Sequence, residues 1–182
     1  HPIPRRQRQM CIRDRRTPCA AILCHEPLPR ARTASGYLGH FRSLAQASAL
    51  PIIIEHNQSS IPDVSEALVE LARDPNVCGI VDASGDVALN GELIRNTLDN
   101  FFVLTSRDVM MLPLMALGVD GAVSTIANAF PQECSDMMGQ MAFGNFQDAQ
   151  KTHHSLAPLL RILELEGEAS GIKAILNHFH WL

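Results

Sequence analysis

From residue 20 onward, short unbroken apolar runs alternate with segments whose apolar residues recur at helical spacing. "AAILC" (20–24) is followed by "TASGYLGHFRSLAQASA" (33–49), with Leu38, Phe41, Leu44 and Ala45 on one helical face. "PIIIE" (51–55) is rich in β-branched residues and predicts a strand. "PDVSEALVELARD" (62–74) has a proline near its start and Val64, Leu68 and Leu71 on one side, which predicts a helix. The alternation continues through "VCGIV" (77–81), "ALNGELIRNTLDN" (88–100), "FFVLT" (101–105), "DVMMLPLMALG" (108–118), "GAVSTI" (121–126) and "PQECSDMMGQMAFG" (131–144).

Strands that alternate with helices through short links predict parallel βαβ units, an α/β fold. The runs are apolar without alternation, as expected of strands covered on both faces. Five such units suit an open doubly wound sheet or part of a (βα)8 barrel. An open sheet usually carries a glycine-rich phosphate loop after its first strand, and "CHEPLPR" stands there instead. Beyond residue 144 the pattern is helical only, at 145–167 and 168–179, with Phe146, Ala149, Leu156, Leu159, Leu160 and Leu163 as an apolar stripe.

A chain of 182 residues is long enough for one sizeable core. A formal net charge of −4 gives no footprint for nucleic acid. No apolar run is long enough to span a bilayer. Five cysteines (Cys11, Cys19, Cys24, Cys78 and Cys134) without a CxxC fit a reducing cytoplasm better than a disulfide framework. The first residues differ from the rest. "HPIPRRQRQMCIRDRR" is basic and aperiodic, and "QMCIRDR" within it is what the transposon-end adapter CAG ATG TGT ATA AGA GAC AG encodes. Residues 1–16 are therefore expected to be a disordered cloning or assembly scar and are set aside from the fold.

Three stretches together carry a family resemblance: "GIVDASGD" (79–86), "LPLMALGVDGAVSTIAN" (112–128) with "FP" after it, and "LEGEASGIKAIL" (165–176). "GYLGHFRSLAQASALPIII" (36–54) fits as well. The chain resembles the C-terminal part of the dihydrodipicolinate synthase and N-acetylneuraminate lyase family, the pyruvate-dependent class I aldolases. The resemblance implies a TIM barrel entered at its fourth strand. Residues 17–144 would hold strands four to eight, and 145–182 a C-terminal helical extension. Strands one to three would be missing, with their threonine-rich loop, as in a fragment from a truncated reading frame. It also implies a cytoplasmic lyase without a cofactor, a small keto-acid ligand, and a full-length protein that is a homo-oligomer binding neither nucleic acid nor membrane.

The family's chemistry needs a lysine whose neutral amine forms a Schiff base with pyruvate, the electron sink for C–C bond making or breaking. By the resemblance, that position is Val81, and the proton-relaying tyrosine at the end of the preceding strand is Glu55. The arginine that follows the tyrosine is absent, and Ser106 stands for a glycine after the next strand. Lysine to valine takes two base changes in one codon, and the flanking residues are intact, which argues for divergence. The only lysines, Lys151 and Lys173, lie in the terminal helices. No catalytic residue of the family is thus retained, and Val81, Ser84 and Val123 are the candidate substrate-binding positions. A pseudoenzyme is expected. The alternative is a lysine-independent enzyme, with metal or acid–base chemistry drawn from strand-end residues such as His25, Glu26, Glu55, His56 and Asp82. Ser84, Gly85 and Asp86 could equally just turn the chain and cap the next helix. The His153-His154 and His178-x-His180 spacings put no two ligands on one helical face, so no metal is expected there.

Overall fold

The computed structural model describes residues 19–26, 33–57, 64–98 and 100–180. The expected scar at 1–16 and the expected helix start at Pro62 lie outside them. The chain divides into two compact units that meet in sequence between Val103 and Leu104.

The first unit runs β1 (Ile22–His25), α1 (Ala34–Ala47), β2 (Ile52–His56), α2 (Val64–Leu71), β3 (Val77–Asp82), α3 (Val87–Asn96) and the first half of β4 (Phe102–Thr105). The β1–β2 and β2–β3 pairs are both parallel. Thr33 caps α1, its side chain accepting a hydrogen bond from the Gly36 amide, 3.2 Å. Helix α1 buries Tyr37, Phe41, Leu44 and Ala45, a stripe at i, i+4, i+7 and i+8, and packs on β2 and α2. The expected face had Leu38 in place of Tyr37. Burial along β1 alternates between buried and exposed, and along β2 between buried and half-buried. The sequence predicted cover on both faces. Ile22, Cys24, Ile52 and Ile54 lie on the well-covered face, whereas Leu23 and Ile53 are open to different degrees.

Strand β3 approaches the start of β4 closely. A Cβ on Gly79 would lie 2.7 Å from the Phe102 carbonyl oxygen and 3.1 Å from the Phe102 Cβ. Backbone cannot give way as a flexible side chain can, so only glycine fits. Gly79→Ala is expected to destabilise the protein by about 1–3 kcal/mol, the usual range for overpacking, as measured by urea denaturation. An unchanged midpoint would show that β4 yields.

The second unit holds the rest of β4, a 3-10 turn at Asp108–Met110, α4 (Met111–Leu117), β5 (Gly121–Ala122), a second 3-10 turn at Ile126–Asn128, α5 (Pro131–Ala142), α6 (Phe146–Glu166) and α7 (Glu168–His178). β4 and β5 pair in parallel, Leu104 with Gly121 and Thr105 with Ala122. β5 is shorter than the expected strand at 121–126. Ser124 accepts a hydrogen bond from the Ala127 amide, 3.2 Å, and starts the second turn. Met111, Met137 and Met141 join Ile126, Ala149, Leu156, Leu160, Leu163 and Ile175 in one core, so these methionines fill space. The expected stripe of α6 holds except at Phe146, which is exposed. No helix of the described residues is long and apolar enough to cross a membrane.

Candidate active site at the strand ends

The register of β1, β2 and β3 sets two rows of side chains. His25 pairs with Glu55, and Glu55 with Val81. Registered neighbours in a parallel sheet share a face. His25, Glu55 and Val81 therefore form one row, and His56 and Asp82, one residue further on, lie on the opposite face with Glu26. In the first row the His25 Nδ1 lies against the Glu55 Oε2 without hydrogen-bond geometry, with side chains 73% and 19% exposed. Val81 is 2% exposed and offers no nucleophile or titratable group.

The second row is buried. The His56 Nδ1 lies 2.5 Å from the Glu26 Oε1, with side chains 3% and 16% exposed. The Tyr37 hydroxyl lies 3.4 Å from the same nitrogen. Burial first, and then the charge of Glu26 and its hydrogen bond, push the Tyr37 phenol far above its usual range, so it stays a neutral donor. β1 ends in His25 and is followed by Glu26, β2 ends in Glu55-His56, and each histidine meets the other segment's carboxylate.

The Asp82 side chain organises the loop after β3. One oxygen accepts from the Ser84 amide (3.0 Å) and hydroxyl (2.6 Å), the other from the Gly85 amide (3.0 Å) and the Asn90 side chain (2.7 Å). Gly85 has φ +70°, a left-handed turn conformation that favours glycine. Asp86 caps α3, accepting from Ala88 and Leu89 amides at 2.8 and 3.1 Å. The Ser84 hydroxyl also accepts from the Asp86 amide, 3.0 Å, so it is engaged within the turn.

In the second unit, Val123 is half exposed, and its amide donates to the Thr105 carbonyl, 2.8 Å. A cleft of about 270 Å³ is lined by Arg107, Asp108, Leu160, Leu163, Glu164 and Glu168. The Asp108 Oδ2 accepts from the Ile126 amide, 2.9 Å. Burial pushes Asp108 above the usual carboxylate range, against hydrogen bonds from Ser124 and the Ile126 amide that pull it down. A raised folded value means stability that is full below the ordinary carboxylate pKa and is lost as pH rises through the folded value. Asp108→Asn keeps an acceptor and cannot ionise. Its stability relative to wild type should therefore climb from acid to neutral pH, read by urea unfolding across that range. A difference that is flat with pH would contradict the shift.

Among the described residues, no group of three or more His, Cys, Asp or Glu side chains is placed to hold a metal ion. Sequence reasoning placed His25, Glu26, Glu55, His56 and Asp82 at strand ends, and the structure divides them between two faces. It missed Tyr37 and Asn90. Tyr37 is the chain's one tyrosine, four residues before Phe41. Asn90 follows Asp86 by four, so its side chain reaches back one turn to the Asp86 carbonyl, 2.8 Å.

A parallel α/β chain with these motifs has known relatives. The family model described as the dihydrodipicolinate synthetase family matches residues 16–181, and the chain belongs to that family. It is 32% identical over 167 residues to the 4-hydroxy-tetrahydrodipicolinate synthase of Phocaeicola vulgatus, covering 90% of this chain and 56% of that protein. The enzyme of the same name from Methanococcoides burtonii is 36% identical over 146 residues, covering 79% and 50%. Among solved structures, the chloride-inhibited dihydrodipicolinate synthase from Acinetobacter baumannii, complexed with pyruvate, superposes with a TM-score of 0.85 at 27% identity, over 93% of this chain and 59% of that one. The chain spans about half the length of the curated relatives it matches.

Proposed function

We propose that this protein is a family member that holds a small keto acid without forming a Schiff base, and acts as a binding or assembly subunit rather than as a pyruvate aldolase. The observation that carries the reading is the pairing of Glu55 with Val81. The resemblance puts the family tyrosine and lysine at these two positions, and the register makes them neighbours on one face. Neither residue can do its family counterpart's work. Lys151 lies on α6, ion-paired to Asp148 at 2.8 Å, and Lys173 lies on α7. Neither is at a strand end.

The wider frame of this reading is a (βα)8 barrel of which residues 17–144 supply strands four to eight, followed by the helices of 145–182. The parallel pairing of β1 to β3 and of β4 to β5 supports it, as does the likeness to synthase structures. In such a barrel the ends of the strands form the mouth where ligands bind. Val81 and Ser84 in the first unit, and Val123 in the second, are the candidate ligand positions, with pyruvate, the ligand of the Acinetobacter structure, as the first candidate. Cytoplasmic location and homo-oligomeric assembly of the full-length protein belong to the same proposal.

The test is saturation-transfer NMR with pyruvate, followed by borohydride treatment and mass spectrometry. Binding without a covalent adduct is expected. An adduct on any lysine, or no binding at all, would overturn the reading.

A further inference from the structure

We draw no further inference here: the strongest candidate, the cleft of the second unit between the loop after β4 and the α6–α7 corner, is a cluster of acidic side chains around one arginine whose groups already meet partners within the protein, Arg107 with Glu164, Thr125 with Glu168 and the Ile126 amide with Asp108, and nothing else among the described residues points to a ligand there.

Discussion

Val81→Lys alone should give no pyruvate adduct after borohydride treatment, although it restores the residue type that the family uses. A lysine forms an imine only as the neutral amine. At position 81 its neighbour in register is Glu55, a mostly buried carboxylate. A nearby negative charge favours the protonated amine, and each unit by which the lysine pKa rises removes about tenfold of the free amine. The new side chain also enters a site where valine is 2% exposed, and desolvation acts in the opposite direction. The contact with a carboxylate is expected to win, because Glu55 is the direct neighbour of position 81 in register. Val81→Lys with Glu55→Tyr removes that carboxylate and supplies the hydroxyl expected of the family. It should trap more adduct than the single variant, by roughly tenfold for each pKa unit recovered. The absent arginine would still weaken the hold on the substrate carboxylate. Mass spectrometry of wild type and both variants after reduction with pyruvate decides it. A single-variant adduct equal to that of the double variant would show that Glu55 does not control the site.

The fold was legible wherever one period ruled a segment. Ile52, Ile53 and Ile54 announce β2 through β-branching, and Phe41, Leu44 and Ala45 announce α1 through helical spacing, because burial needs one face to be apolar. Strand register was not legible. "HE" at 25–26 and "EH" at 55–56 stand thirty residues apart, and only the pairing of His25 with Glu55 reveals that they match crosswise. Burial of polar groups was equally hidden. Asp82 reads as a loop residue, yet it is fully buried, because four donors that follow it in sequence converge on its carboxylate. Nothing in a hydrophobic period marks such a group. The short β5 has the same cause in miniature: Ser124 is compatible with a strand, and a local hydrogen bond to the Ala127 amide turns it instead.

His56→Ala should be among the most damaging single substitutions in the first unit, at about 3–5 kcal/mol, the range for removing one partner of a buried pair. The variant leaves the Glu26 carboxylate without its contact at 2.5 Å and with Tyr37 as its remaining donor from α1. It also opens space beside Tyr37, whose ring stacks edge-on with His56 at 6.2 Å. His25→Ala removes a histidine of the same type from the equivalent carboxylate contact one residue earlier. It should cost less than His56→Ala, because the histidine itself is already in water, although Glu55, 19% exposed, also loses its contact. The difference between the two alanine variants reports what burial of the histidine itself adds, since the two carboxylates are similarly covered. Replacing both buried partners, Glu26→Leu with His56→Leu, should recover most of the loss, because no charge is then left without a partner. Urea denaturation of the three variants and wild type provides the comparison. If the double leucine variant is as unstable as His56→Ala, the loss is one of shape beside Tyr37 rather than of an orphaned carboxylate.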